Sequence, residues 1–107
     1  MPFQAFWPIY LAEHRNPLNR RLHFLGTGSS LGLAVGLLLM GLPRWIWVAP
    51  VVAYGFAWAG HFLVEHNRPA TFRHPWLSLM GDHKMAWYAL RGRLEQEYER
   101  LGIRDFN

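Results

Sequence analysis

The chain has 107 residues, a formal charge of +4 from eleven Lys+Arg against seven Asp+Glu, and no cysteine. A chain this short has room for one domain, taken here as residues 1–107, and disulfides and thiolate metal sites are excluded, so any metal must take nitrogen and oxygen ligands. The basic residues flank two long uncharged stretches, which is how they sit around membrane spans and not how they line a nucleic-acid site, so no nucleic-acid partner is expected.

In chain order, residues 3–14 (FQAFWPIYLAEH) read as a short apolar, aromatic helix that Asn16-Pro17 ends. Residues 24–42 (FLGTGSSLGLAVGLLLMGL) carry no charge. At about 1.5 Å per residue they cover nearly the whole hydrocarbon core of a bilayer, about 30 Å. Gly41-Leu42-Pro43-Arg44 marks a turn. Residues 45–64 (WIWVAPVVAYGFAWAGHFLV) are again uncharged apart from His61, and Pro50 falls in the first turns, where a helix tolerates it. The expected fold is all-α: a small membrane-embedded helical bundle with a central transmembrane hairpin, residues 23–66, and flanking shorter helices. A signal peptide is not expected, because the apolar segment starts late and lacks a cleavage pattern. The alternative is a hairpin buried in a soluble core, which a mean hydropathy of −0.03 and large polar ends leave open.

Residues 76–92 (WLSLMGDHKMAWYALRG) read as another short helix. This segment and residues 3–14 are too short to span alone and are expected to lie in the interface or insert partly. Residues 93–101 form a charged helix whose narrow stripe of Leu94, Tyr98 and Leu101 predicts fraying. Many aromatic residues (Trp7, Tyr10, Trp45, Trp47, Trp76, Trp87, Tyr88) flank the apolar stretches as an interfacial belt would. Arg15, Arg20 and Arg21 precede the hairpin and Arg68, Arg73 and Lys84 follow it, with only Arg44 at the turn. Both termini are therefore expected in the cytoplasm, most simply at a bacterial inner membrane. Gly28, Gly32 and Gly36 repeat every four residues, a spacing that lets a neighbouring backbone approach; the seam serves either the hairpin or a homodimer.

Folding the hairpin about its turn brings histidines together. His23 lies about 20 residues before the turn, His61 about 17 after it and Glu65 about 21 after, so all three reach one depth. His61 and Glu65 share a helix face, which Tyr54 and Trp58 continue. His23, Thr27 and Ser30 make a polar stripe on the other helix. Lipid offers such groups no partner, so the stripes are expected to face each other. His14 can join them, because the chain reverses at Asn16-Pro17. Imidazole is a common ligand for iron and zinc, and spacing alone does not choose between them. His66 and His74 read as solvated or headgroup-facing, and Asp82-His83 opens the polar part of the last helix. A non-catalytic membrane module and a bis-histidine haem carrier remain alternatives at this point.

Three motifs carry a resemblance: Tyr10-x3-His14-x2-Pro17-x-Asn19-x3-His23-x2-Gly26, then Gly60-His61-Phe62-x2-Glu65-x-Asn67-Arg68-Pro69-Ala70-Thr71-Phe72, then Ser78-Leu79-x-Gly81-Asp82-x2-Met85. Over residues 3–92 the chain resembles the fungal 2-hydroxy-palmitate dioxygenases and their bacterial relatives, long catalogued as a domain of unknown function. The resemblance implies a membrane-embedded, non-haem iron(II) enzyme. It implies a 2-hydroxy fatty acid and dioxygen as substrates, removal of the carboxyl carbon, and membrane lipids as surroundings. The fungal members act in the endoplasmic reticulum on acids from phytosphingosine breakdown. It makes His14, His23 and His61 the expected Fe(II) ligands, with Glu65 a fourth ligand or a partner behind them. Asp82 is a weaker candidate, and Arg20, Arg21 or Arg68 would neutralise the substrate carboxylate unless they serve topology and lipid contact.

Overall fold

A computed structural model describes residues 1–103. The last four positions of the expected domain lie outside the described residues. Five helices and no strand are present among the described residues. They are α1 (Phe3–Ala12), α2 (Pro17–Leu39), α3 (Val48–Ala59), α4 (Pro75–Leu90) and α5 (Leu94–Leu101). Single 3-10 turns at Pro43–Trp45 and Ala70–Phe72 join them, and α3 continues as a π-helical turn over Gly60–Glu65.

The break read at Asn16-Pro17 is also the start of α2. The Asn16 side chain accepts from the Leu18 N–H at 2.9 Å, and Pro17 occupies the first helical position, where its missing N–H is harmless. α2 and α3 form the expected hairpin. Pro17–Leu39 and Pro43–Glu65 are each long and apolar enough to cross a membrane. Only 17% and 22% of their apolar windows are buried, whereas a hairpin in a soluble core would be mostly covered. Leu25, Leu31, Val35, Leu38, Val51 and Leu63 all face outward.

The hairpin's close approach is made at a different glycine from the expected ones. A Cβ on Gly26 would sit 2.9 Å from the Phe56 Cβ and 3.0 Å from the Ala53 carbonyl oxygen. Gly28, Gly32 and Gly36 have nothing within 4 Å, so the seam is not used inside the chain. Gly28 and Gly32 are exposed and Gly36 is partly covered, and the register of the pair selects Gly26.

The buried apolar cluster sits at one end of the hairpin. It joins Phe6, Trp7, Tyr10 and Leu11 of α1 to Met85 of α4 and Leu94 and Tyr98 of α5. α1 is the core helix of this end, covered by α4 and α5, and α5, expected to fray, is docked on it. The Trp7 indole donates to Glu97 at 2.7 Å, and the Tyr98 hydroxyl donates to the Leu11 and His14 carbonyls at 3.0 and 2.8 Å. These bonds satisfy carbonyls that the end of α1 leaves without helical partners.

Candidate metal centre

Three segments converge where the hairpin opens toward the aromatic end. His14 follows α1, His23 stands in the second turn of α2, and His61 lies in the π-helical turn. All three are buried, at 1%, 3% and 2% exposure. Their ring centroids are 4.4 Å (His14–His23), 4.5 Å (His14–His61) and 4.9 Å (His23–His61) apart, with interplanar angles of 80°, 81° and 90°. Three nearly perpendicular rings thus surround one point, and their ligand atoms lie within 4.8 Å of one another.

The hydrogen bonds decide which nitrogens face that point. The His14 Nδ1–H donates to the Tyr10 carbonyl at 2.6 Å and the His23 Nδ1–H to the Asn19 carbonyl at 2.9 Å. A carbonyl only accepts, so both protons sit on Nδ1. The His61 Nδ1–H donates to Asn67 Oδ1 at 2.7 Å. Asn67 cannot be turned the other way, because its Nδ2 donates to the Glu13 carbonyl at 3.1 Å. Each ring therefore keeps Nε2 bare, and a hydrogen bond behind a ligating imidazole is the usual arrangement at metals.

The fit to a cation can be tested on one pair. The Nε2 atoms of His14 and His23 are 3.0 Å apart. With Nδ1 protonated on both, two lone pairs face each other and no proton lies between them. Burial, with the neighbouring His23 and His61 imidazoles adding to it, holds His14 well below the ordinary imidazole range, so a bridging imidazolium is disfavoured. A shared metal resolves the clash: two nitrogens each about 2.0–2.1 Å from one ion come to about 3 Å apart at near-right angles. For this pair the haem alternative does not fit, since imidazoles on opposite faces of a haem would hold their nitrogens about 4 Å apart, twice one metal–nitrogen bond.

Glu65 is not one of the converging groups. Its Oε1 accepts from the Asn16 N–H at 2.6 Å and from Asn19 Nδ2 at 3.3 Å. It thus ties the end of α3 to the start of α2 and holds the residue whose carbonyl orients His23. Asn19 is packed so closely on Gly60 that a Cβ there would sit 1.9 Å from Asn19 Oδ1. π-helical turns commonly mark functional sites, and this one closes with His66 in the left-handed region (φ 58°) and the Asn67 N–H donating to the His61 carbonyl at 3.0 Å.

The remaining candidates fall elsewhere. Asp82 is buried and accepts from the Tyr10 hydroxyl, while the Tyr10 ring stacks on His14 at 4.0 Å. Burial pushes the Asp82 carboxyl up to about 6. Arg20 is engaged by the α1–α2 turn: its Nη1 donates to the His14 and Arg15 carbonyls at 3.0 and 2.9 Å, and the guanidinium lies 4.7 Å from the Tyr98 ring centre. Arg21 and Arg68 are exposed. His66 and His83 are exposed too, and His74 packs edge-on against Phe6 at 5.6 Å, so none of the three joins the centre. Thr27 is buried one turn beyond His23, as the polar stripe predicted, whereas Ser30 is only partly covered. Asn67 carried no role in the sequence reading. Its only signal there was its place in the Asn-Arg-Pro-Ala-Thr-Phe run.

The family model for 2-hydroxy-palmitic acid dioxygenase Mpo1-like proteins matches residues 1–94. No curated protein and no solved structure matches the chain. The matched segment contains all three histidines, Asn67 and the helices that carry them, and it covers most of the chain; the protein belongs to the 2-hydroxy-palmitic acid dioxygenase Mpo1-like family.

Proposed function

We propose that this protein is a membrane-embedded, iron(II)-dependent dioxygenase that shortens 2-hydroxy fatty acids by one carbon. The observation that carries the reading is the set of three buried imidazoles whose Nδ1 atoms are all tied back, leaving three bare Nε2 atoms around one point. His14, His23 and His61 would hold the metal, and Glu65 would support them through Asn19. Iron(II) at such a centre, with positions open, supplies the activation of dioxygen that side chains cannot.

The chain's own residues supply the rest. Tyr10, Asn19 and Asn67 hold the rings, and burial keeps bulk water from the centre. The net reaction balances without a reductant: a 2-hydroxy acid and one dioxygen give the acid one carbon shorter, carbon dioxide and water. Four electrons leave C1 and C2 together, and dioxygen takes up four.

The outward-facing apolar side chains of the hairpin support its lying in lipid. The histidines stand at the hairpin's open end, about seven residues or about 10 Å into α2, which is headgroup depth. A polar acid head reaches that level while its alkyl chain stays in an apolar medium. The basic residues around the start of α2 and after α3 share this end, which supports both termini being cytoplasmic.

The test uses protein purified anaerobically in detergent and reconstituted with iron(II). Metals per chain, oxygen uptake on 2-hydroxyhexadecanoate and the pentadecanoate formed would be measured for wild type and His61→Ala. Stoichiometric iron and matched oxygen and product in the wild type, lost in the variant while membrane insertion persists, is the expected result. Full turnover by His61→Ala sinks the reading. No metal in either would favour a non-catalytic module in which the histidines only pack the hairpin.

A further inference from the structure

A cavity of about 570 Å³ forms an open groove between α2 and α4. Phe24, Thr27, Gly28 and Leu31 line it from α2, and Trp87 and Leu90 from α4. Its size is that of a small-molecule site. Its α2 wall starts beside a residue of the metal centre in the chain: Phe24 follows His23 directly. Thr27 is one turn beyond His23, which places their Cβ atoms about 5–6 Å apart. Thr27 is 8% exposed and lines the groove.

The groove is amphiphilic along its length. A second recess shares Phe24 and Ala89 with it and adds Arg20, Arg21 and Glu95, a net positive mouth at the end nearest His23. Arg21 and Phe24 also line a third, shallow recess there. From Phe24 to Leu31 the α2 wall runs about 10 Å away from that mouth. Gly28 leaves the wall without a side chain, and nothing lies within 4 Å of where its Cβ would be. A basic end beside a metal centre and an apolar trough leading away from it match an anionic single-chain amphiphile.

We infer that the α2–α4 groove holds the alkyl chain of a long-chain 2-hydroxy acid whose carboxylate end lies at the histidine centre. This rests on the function proposed above and adds to it the path of the chain. The groove sets which acids are accepted, because only a chain that follows the trough puts its head at the imidazoles.

The experiment photolyses a 2-hydroxyhexadecanoate carrying a mid-chain diazirine with the full-length, iron-reconstituted protein in phosphatidylcholine nanodiscs. Labelled residues are mapped by peptide mass spectrometry. Gly28→Phe and Gly55→Phe run alongside. Neither position has an atom within 4 Å of a new Cβ, so neither substitution meets a packed neighbour there; Gly28 lines the groove, whereas Gly55 is exposed on α3 and does not. Metal per chain checks this for each.

The expected labels fall within residues 24–31 and 83–90 and are competed by unlabelled 2-hydroxyhexadecanoate. Gly28→Phe lowers them by roughly tenfold through steric exclusion, and Gly55→Phe leaves them unchanged. Labels spread over the outward surface near Leu38, Val51 and Leu63, and indifferent to Gly28→Phe, would overturn the inference and make the groove ordinary lipid-facing surface. Groove labels in a wild type that consumes no oxygen would support the chain path and count against the dioxygenase reading.

Discussion

His61 and Asn67 are joined twice: the imidazole Nδ1–H donates to Asn67 Oδ1 at 2.7 Å, and the Asn67 N–H donates to the His61 carbonyl at 3.0 Å. The same asparagine reaches the Glu13 carbonyl, next to His14, at 3.1 Å. One side chain thus fastens the π-helical turn to the end of α1 and sets the tautomer of a ligand. Asn67→Leu removes the acceptor and the tie. Metal affinity should fall roughly 10–100-fold, the usual effect of losing a partner behind a ligand, while Asn67→Asp, which still accepts, should retain most of it. Competitive titration with a chromogenic chelator measures both. Equal affinity in wild type and Asn67→Leu would remove Asn67 from this role.

Gly60 has no room for a side chain. Gly60→Ala would place its Cβ 1.9 Å from Asn19 Oδ1, so Asn19 must move and carry with it the carbonyl that holds His23. Overpacking of this kind costs about 1–3 kcal/mol. Gly36→Ala, with nothing within 4 Å, is the matched control and should be close to neutral. Thermal unfolding in detergent compares them, and equal melting temperatures would contradict the packing described.

Asp82 makes stability depend on pH in a definite direction. Its carboxyl ionises near 3.8 when unfolded and near 6 when folded, raised by burial. Between those values the unfolded chain releases the proton and the folded chain keeps it. This contribution to stability therefore falls as pH rises from about 4 to about 6 and is constant above. Asp82→Asn keeps a carbonyl oxygen for the Tyr10 hydroxyl and removes the titration. The melting temperature of the wild type relative to Asp82→Asn should decline across that window. A difference independent of pH would show that Asp82 does not titrate there.

Tyr98→Phe isolates the docking of α5. The hydroxyl donates to the Leu11 and His14 carbonyls, but each has another donor: the His14 N–H at 3.0 Å for Leu11 and Arg20 Nη1 at 3.0 Å for His14. Neither acceptor is orphaned, so the loss should be about 1 kcal/mol. Tyr98→Ala also removes a buried ring and should cost about 3–5 kcal/mol. Chemical denaturation of both variants tests this, and two equal, negligible losses would mean that α5 does not hold α1.

Much was legible in one dimension because its causes are local or periodic. Uncharged runs of bilayer length, a turn at Gly41-Leu42-Pro43, and a constant rise per residue are enough to bring His23 and His61 to one depth. The break at Asn16-Pro17 allows His14 to return to them. Family motifs then point to the chemistry.

Other features depend on rotation, register and which surfaces meet. The helical spacing put Glu65 on the face of His61, but packing turned its carboxylate to the Asn16 N–H and Asn19. Three glycines in register suited a seam in the hairpin or in a homodimer; inside the chain the rotation of α2 against α3 chose Gly26. The charged C-terminal helix reads as marginal by itself; it is held because Trp7 offers Glu97 a partner and the Leu11 and His14 carbonyls offer Tyr98 two. Asn67 is a loop polar residue until the chain folds and places it between His61 and Glu13. Pattern and length describe a helix's faces, whereas the partner of each polar atom is settled by the element that arrives opposite it, and that is a property of the assembled bundle.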